Sequence, residues 1–200
     1  MQAYMKSAMP YLGVRVPEVR RLVRLAERAE PLADEAAVRS AVTELWDTAT
    51  HREHRYSATE LLNTRSAHRS ITAGRLDLIQ RLIVEGAWWD HVDELSRRVG
   101  EILLGWPAGT RPRLLCWATG ENHWLRRSSI ICQLGFRDRI DLDLLTHAID
   151  ASAGEPDFFL RKAIGWALRE LARTDPDWVR AFVSARTLSP LSVREALKHL

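Results

Sequence analysis

The segment from Gly86 to Leu95, GAWWDHVDEL, combines aromatic and acidic side chains at a spacing that could do chemistry. Trp89 and Asp93 are four residues apart, so on an α-helix they lie one above the other on the same flank. An indole ring and a carboxylate both attract positive charge, and the pair therefore suits a cationic substrate. The alternative is that Trp89 belongs to the hydrophobic core and Asp93 is a solvated flank residue.

The helix that must carry this pair is predicted over about 88–104. Its apolar residues recur at steps of four and three, which defines one buried stripe: Trp88, Val92, Leu95, Val99 and Ile102. Trp89 follows Trp88 and therefore lies beside this stripe on the helix surface, and Asp93 lies one turn later on the same flank. We therefore expect the aromatic ring and the carboxylate at the rim of the core.

The rest of the chain also has helical periodicity, with hardly any alternation of period two. Pro17 is expected to open a first helix that buries Val19, Leu22 and either Leu25 or Ala26. A second helix is predicted after Asp34, and a third begins at a capping box of Thr50 and Glu53 and ends at Leu62. Asn122 is expected to cap a helix over 123–134. The other predicted helices cover about 76–84, 113–119, 141–151, 157–173, 176–185 and the residues from 190. The predicted class is all-α, built of antiparallel helical hairpins.

A coarse internal repeat accompanies the helices. Trp124-Leu-Arg-Arg-Ser and Phe159-Leu-Arg-Lys-Ala are 35 residues apart, and each places one aromatic and two basic residues in the first turns of a helix. The tryptophans at positions 46, 89, 124 and 166 follow one another at 43, 35 and 42 residues, which is near the period of HEAT and armadillo arrays. We predict a HEAT-like solenoid with a concave basic face. The alternative is that these basic residues are ordinary exposed helix residues.

Charge is spread unevenly along a chain whose net charge is only +3. Residues 111–139 hold six arginines against Glu121 and Asp138, and they follow an acidic segment over 76–110. This pattern favours an anionic partner that is contacted locally.

Other features restrict compartment and cofactor. Cys116 and Cys132 lie in apolar runs and are expected to be buried thiols of a reducing compartment. No signal peptide or membrane span is evident, so we expect a cytoplasmic protein. His51 and His54 have no further ligands to complete a metal site, and we expect none. His91 is expected at the surface.

Several separate motifs together resemble the AlkD-type DNA alkylation repair glycosylases. They are Tyr4-Met-Lys, Leu45-Trp-Asp, Trp88-Trp-Asp-His-Val-Asp, Trp124-Leu-Arg-Arg, Phe158-Phe-Leu-Arg-Lys-Ala-Ile-Gly-Trp-Ala-Leu-Arg-Glu and Leu191-Ser to His199. The resemblance implies one domain over 1–200 with a HEAT-like fold, truncated at both ends relative to the family. It also implies hydrolysis of the N-glycosidic bond of N3- and N7-alkylated purines in duplex DNA, without a cofactor or metal, by a chain that acts as a monomer away from membranes.

The resemblance also implies roles for particular residues. Asp93 matches the catalytic carboxylate, and Trp89 and Trp166 match the paired aromatic residues. Tyr4 and Arg127 match DNA contacts, the latter a phosphate contact. Further DNA contacts are expected along the basic stripe, at Arg126, Arg161, Lys162 and Arg169.

Two other classes of function stay open at this stage. One is a paralogue that binds DNA without cleaving it, although the presence of Trp89, Asp93 and Trp166 argues against that. The other is a helical-repeat scaffold for protein partners, which would leave the arginines and the Trp-Asp pair without a role. Whether the damaged base is flipped out or left stacked is also open.

Overall fold

The computed structural model of the protein describes Met5 and residues 7–200. All regular structure in these residues is helical, with twelve α-helices, one 3-10 turn and no strand. The helices are α1 (Val16–Ala29), α2 (Glu35–Asp47), α3 (Arg52–Leu61), α4 (Arg65–Arg69), α5 (Arg75–Gly86), α6 (Trp89–Gly105), α7 (Pro107–Thr119), α8 (His123–Ile131), α9 (Leu142–Asp150), α10 (Phe158–Leu171), α11 (Pro176–Ser184) and α12 (Pro190–Ala196), with the 3-10 turn at Arg137–Arg139. The predicted all-α class is confirmed. None of these helices has the length and apolar character needed to cross a bilayer.

The helix boundaries differ from the prediction in a few places. α7 begins at Pro107, six residues before the predicted start, because proline is well tolerated in the first turn of a helix. α8 ends at Ile131, three residues before the predicted end. The short α4, capped by the Thr64 side chain, and the 3-10 turn have no counterpart in the prediction. By contrast, Asn122 caps α8 as predicted, and Asp34, after which a helix was predicted, caps α2; both side chains accept hydrogen bonds from first-turn backbone N–H groups.

The chain divides into two compact units, residues 1–75 and 76–200. In the first unit, α3 packs against both α1 and α2. Val38, Val42 and Trp46 of α2 are buried. The prediction of a single domain over 1–200 stays a prediction.

The predicted buried face of α1 is wrong. Val19 is buried, but Leu22 and Leu25 are 47% and 56% exposed, and Ala26 is exposed. The inward side of the helix is set by polar contacts instead. Arg20 and Arg24 form ion pairs with the buried Glu60, and the Glu27 carboxylate accepts hydrogen bonds from Ser66. The hydrophobic spacing alone could not show that a buried carboxylate faces this helix.

The predicted capping box of Thr50 and Glu53 is also wrong. The residue before α3 is His51, whose side chain makes no capping hydrogen bond. The Glu53 carboxylate accepts hydrogen bonds from the backbone N–H groups of three residues far away in sequence, Leu12, Gly13 and Val14. Glu53 therefore ties the segment before α1 to α3.

The second unit repeats one arrangement along the chain. α8 packs against both α6 and α10, while α7 packs against α6, α8 and α9. Beyond them, α10 packs against α11 and α12. Alternate helices α6, α8 and α10 are thus neighbours, and their first turns come together.

Equivalent aromatic residues join these first turns. Trp88, Trp124 and Phe159 have ring centroids 5.1 to 6.0 Å apart in each pairing. Trp88 precedes α6, and the other two lie in the first two residues of α8 and α10. Because offset and edge-to-face pairs stabilise each other at these distances, the repeat read from the sequence corresponds to a shared aromatic cluster.

A glycine lets α6 approach the end of α8 closely. A Cβ atom at Gly100 would lie 2.1 Å from the carbonyl oxygen of Cys132, which no real contact permits. Only glycine can therefore occupy this position at the observed spacing. The close approach fixes the register of α6 against α8, the two helices that carry Asp93 and Arg127.

The two cysteines differ in their surroundings. Burial raises the pKa of the Cys132 thiol to about 12, so it is an inert core residue. Cys116 is exposed, and the prediction that it is buried is wrong. It lies in α7, whose buried positions are Thr110, Leu114, Trp117 and Ala118, and this puts Cys116 on the outer side of the helix.

Candidate active site

A strained turn places the two tryptophans at the start of α6. α5 ends at Gly86, and Ala87 then adopts a left-handed backbone with φ of +39°. A residue with a side chain pays on the order of 1 kcal/mol or more for this conformation. Trp88 returns to extended backbone and α6 begins at Trp89. The connection between α5 and α6 is therefore only two residues long, and it places Trp88 in the aromatic cluster with Trp89 as the first residue of α6.

Trp88 and Trp89 have different environments. Trp88 packs its ring against Trp124 and Phe159, and its indole Nε1 is buried without a hydrogen-bond partner among the described residues. Trp89 is only half-buried, and no ring contact joins it to another aromatic residue in the described part of the chain. Trp88 is thus an anchor for the turn, whereas Trp89 keeps part of its side chain exposed.

Asp93 lies one turn further along α6 and is held by Arg127 of α8. The guanidinium donates from Nε to Oδ1 at 2.7 Å and from Nη2 to Oδ2 at 2.9 Å. Its Nη1 donates to the backbone carbonyl of Phe159 at the start of α10. Arg127 is 4% exposed and Asp93 is 21% exposed. A bidentate pair of this kind fixes the plane of the carboxylate, and the partial exposure leaves one edge of it open.

Burial is the largest influence on the charge of Asp93. Desolvation raises the pKa of the Asp93 carboxyl above its ordinary value, and the nearby Asp90 raises it further. Arg127, through its hydrogen bonds and its charge, and Arg97 act in the opposite direction but do not cancel the effect of burial. The site therefore contains a partly desolvated carboxylate that attracts positive charge more strongly than a solvated one would.

Trp166 lies on α10, half-buried against the core of the second unit. It lines a groove together with residues of α6 and of the loop that follows α8. From α6 come Arg97, Arg98, Glu101 and Leu104, and from the loop come Cys132, Leu134, Gly135, Phe136 and Arg139. Arg97 is one helical turn beyond Asp93, so the groove begins beside the carboxylate. Trp166 therefore shares a groove with residues of α6, the helix that also carries Trp89 and Asp93.

No group of three or more metal-ligating side chains occurs among the residues that the structure describes. The side chains that the site does offer are the carboxylate of Asp93, the guanidinium of Arg127 and the indole ring of Trp89. A carboxylate beside an indole ring suits a positively charged or partly positive group, and the neighbouring groove is lined by three arginines, Arg97, Arg98 and Arg139.

Comparisons with known proteins show the family to which the chain belongs. A family model of DNA alkylation repair enzymes matches residues 1–200. The chain belongs to this family. A solved structure described as a predicted DNA alkylation repair enzyme from Enterococcus faecalis has a TM-score of 0.89 at 28% identity, covering 100% of this chain and 92% of the other. The crystal structure of AlkD2 from Streptococcus mutans has a TM-score of 0.71 at 15% identity, covering 99% and 96%. No curated protein matches the chain.

The likeness to AlkD2 confirms the predicted helical-repeat fold of this DNA alkylation repair family member. The roles that the sequence predicted for individual residues stay predictions, but the structure shows their surroundings. Tyr4, the predicted N-terminal contact, lies outside the described residues. Arg127, the predicted phosphate contact, is buried against Asp93. A phosphate could therefore bind only those N–H groups of Arg127 that do not already donate to Asp93.

The other basic residues of the predicted stripe also have partners within the protein. Arg126 donates to Glu155 and to the carbonyl of Ala151, and Arg161 donates to the carbonyl of Glu155. These two arginines hold the loop between α9 and α10. Lys162 and Arg169 both form ion pairs with Glu195 of α12. Contact with DNA would require these residues to exchange or share existing partners.

Two features of the site were missed by the sequence analysis. His91, predicted at the surface, is 0% exposed, because it lies on the side of α6 that also carries the buried Val92 and Leu95. The backbone carbonyl of Phe159, which orients Arg127, carries no side-chain signal that a sequence could reveal.

Proposed function

We propose that the protein is a DNA glycosylase that hydrolyses the N-glycosidic bond of cationic N3- and N7-alkylated purines in duplex DNA. Membership of the DNA alkylation repair family supports a DNA substrate. The observation that carries the specific reaction is the half-open Asp93 carboxylate, fixed by Arg127 beside Trp89.

The chemistry fits a leaving group that is already positively charged. When the bond between C1′ of the sugar and the purine nitrogen breaks, its electron pair returns to the alkylated base, which leaves as a neutral molecule. The base therefore needs no proton from a general acid. The sugar develops positive charge, and Asp93 stabilises it electrostatically, an effect that commonly contributes most to catalysis. A water oxygen then bonds to C1′, and the carboxylate accepts the proton that this water releases.

Arg127 and the tryptophans have supporting roles in this reaction. Arg127 holds both oxygens of Asp93 in one plane, so the carboxylate is oriented before the substrate arrives. Trp89 and Trp166 present aromatic faces to the cationic nucleotide, in contacts worth about 0.5 to 2 kcal/mol each. Binding and charge stabilisation thus come from separate groups, with Asp93 acting mainly in the transition state.

The direct test is release of N7-methylguanine from a methylated duplex by the purified protein. We expect release by the wild-type protein and release that is slower by about 10²–10³-fold with Asp93→Asn. Tight binding of the duplex without base release by the wild type would favour the non-catalytic alternative.

Lesion selectivity gives a second test of the same mechanism. The site offers no evident acid to protonate a neutral leaving base, so selectivity depends on the charge and lability of the lesion itself. We expect excision of N3- and N7-alkylpurines and little or no excision of uracil, hypoxanthine or 8-oxoguanine from matched oligonucleotides. If uracil or hypoxanthine leaves at a rate comparable to N7-methylguanine, leaving-group activation exists and the mechanism is wrong.

A further inference from the structure

The six arginines of residues 111–139 fall into two groups in the structure. Four of them form ion pairs within the protein: Arg111 with Asp141, Arg113 with Asp77, Arg126 with Glu155 and Arg127 with Asp93. The other two, Arg137 and Arg139, are exposed in the loop after α8, and their side chains form no ion pair with the described residues. A basic segment of the sequence therefore corresponds to far fewer uncompensated charges than its composition indicates.

Arg139 lines the groove that begins beside Asp93, and on the α6 side of the same groove lies Arg97. The Arg97 side chain is exposed and forms no hydrogen bond or ion pair with another described residue. The acidic residues of the groove already have basic neighbours, since Glu101 pairs with Arg98 and Glu170 pairs with Arg173. Arg97 and Arg139 thus give the groove two guanidinium groups that form no ion pair with a described carboxylate.

The position of this charge relative to Asp93 is set by α6. Arg97 follows Asp93 by four residues, which is about one turn, or ~5.4 Å along the helix. Consecutive phosphates of one DNA strand are about 3.4 Å apart along the duplex axis. A phosphate bound at Arg97 would accordingly belong to the nucleotide whose sugar faces Asp93 or to one of its close neighbours.

The size of the groove is compatible with such a ligand. Its volume is about 470 Å³, within the range of roughly 300–1,000 Å³ that is usual for small-ligand sites. Trp166 and Phe136 form apolar parts of its wall, against which a deoxyribose could pack. The guanidinium groups supply planar donors that suit phosphate oxygens.

Resting on the function proposed above, we infer that Arg97 and Arg139 bind backbone phosphates of the damaged strand on either side of this groove. They thereby hold the reacting sugar against Asp93. Four basic residues of the predicted stripe have partners within the protein and would mainly stabilise the fold around the groove: Arg126, Arg161, Lys162 and Arg169. The phosphate contacts would come from arginines that the protein leaves unpaired.

The test is the salt dependence of binding to an undamaged duplex. Each phosphate that a cation neutralises adds about one to the slope of log Kd against log salt. We expect Arg97→Gln and Arg139→Gln each to lower the slope by about 1, and the double variant to lower it by about 2. Arg97→Lys and Arg139→Lys should keep the wild-type slope, because they retain the charge.

Arg180→Gln is the matched control. Arg180 is an exposed arginine of α11 that pairs with Asp177, so its removal changes net charge by the same amount away from the groove. We expect the wild-type slope for this variant. Slopes of Arg97→Gln and Arg139→Gln equal to that of Arg180→Gln would overturn the inference.

The same measurements separate this inference from the proposed reaction. If the two variants lower the slope but the wild-type protein releases no N7-methylguanine, the phosphate contacts stand and the glycosylase proposal fails. If the wild type releases the base and the slopes do not change, the glycosylase proposal stands and the assignment of Arg97 and Arg139 fails.

Discussion

Asp93 in the second unit and Glu53 in the first are both carboxylates withdrawn from water, but their oxygens are used differently. Glu53 is 3% exposed and accepts hydrogen bonds from three backbone N–H groups of Leu12, Gly13 and Val14. Asp93 is 21% exposed and is held by the single guanidinium of Arg127. Glu53 thus meets only groups of its own chain, whereas Asp93 keeps an open edge for another molecule.

The difference shows how to separate structural from functional carboxylates in this fold. A structural carboxylate is satisfied by fixed partners, and its loss leaves buried donors without acceptors. A functional carboxylate is oriented by one side and exposed on the other, so its loss affects reaction more than folding. We therefore expect substitution of Glu53 to affect mainly stability and substitution of Asp93 to affect mainly the reaction.

Asp93→Asn should give the largest effect on excision. Asparagine keeps an acceptor for Arg127 but lacks the negative charge that stabilises the developing sugar cation. We expect the single-turnover rate of N7-methylguanine release to fall by about 10²–10³-fold, while affinity for the duplex is not weakened. The measurement is base release at saturating protein, alongside Kd. Near-normal turnover would remove Asp93 from the catalytic role.

Substitution of Arg127 should have the next largest effect and tests what this residue does. If it positions Asp93, Arg127→Lys keeps the charge but loses the bidentate geometry, so excision should fall while the salt slope of binding stays at the wild-type value. Arg127→Gln should lower excision further and also destabilise the protein, because it leaves Asp93 half-buried without its partner.

If Arg127 instead contacts a phosphate, as the sequence predicts, a different result is expected. Arg127→Gln would then lower the slope of log Kd against log salt by about 1, and binding to all duplexes would weaken alike. The two roles are distinguished by measuring excision and salt slope on the same protein samples, with Arg180→Gln as the control for net charge.

Much of the frame around this pair could be predicted from the sequence. The stripe of α6 was evident because Val92, Leu95, Val99 and Ile102 follow one helical period, and all four are 0% exposed. The cap at Asn122 was evident because it depends on local side-chain chemistry. The family was evident from the combination of several motifs along the chain.

What could not be predicted depends on contacts between residues that are far apart in sequence. Nothing near Glu53 shows that it binds the backbone 40 residues earlier, and its spacing from Thr50 suggests a local cap instead. The basic segment likewise gives no sign of which arginines have acidic partners, since Arg127 and Asp93 are 34 residues apart. Charge composition predicts a class of partner, but only packing shows which charges are left to meet it.

Glu53→Gln should affect stability and not the reaction. The amide replaces one accepting oxygen with a donor facing backbone N–H groups, so the free energy of unfolding should fall by about 1–3 kcal/mol. Urea denaturation measures this loss, and Glu18→Gln on the exposed side of α1 is the control, with little change expected. Excision by the folded variant should match the wild type. A loss of rate comparable to that of Asp93→Asn would show that the two carboxylates cannot be separated in this way.

The pH dependence of excision should show the smallest effect, and it probes the charge of Asp93 directly. The active form is the carboxylate, so the rate should fall as pH falls and should be half-maximal at the pKa of Asp93. Because burial raises this pKa, the half-point should lie above the ordinary aspartate value of about 3.9.

Arg97→Gln should move the half-point further up, since the charge of Arg97 lowers the pKa of Asp93. Single-turnover rates corrected for spontaneous depurination measure both shifts, with circular dichroism at each pH as the control for folding. The lesion keeps its positive charge across this range without a proton, so the profile reports the protein. A half-point at or below that of an ordinary aspartate would mean that the ionisation of a buried Asp93 does not control the reaction.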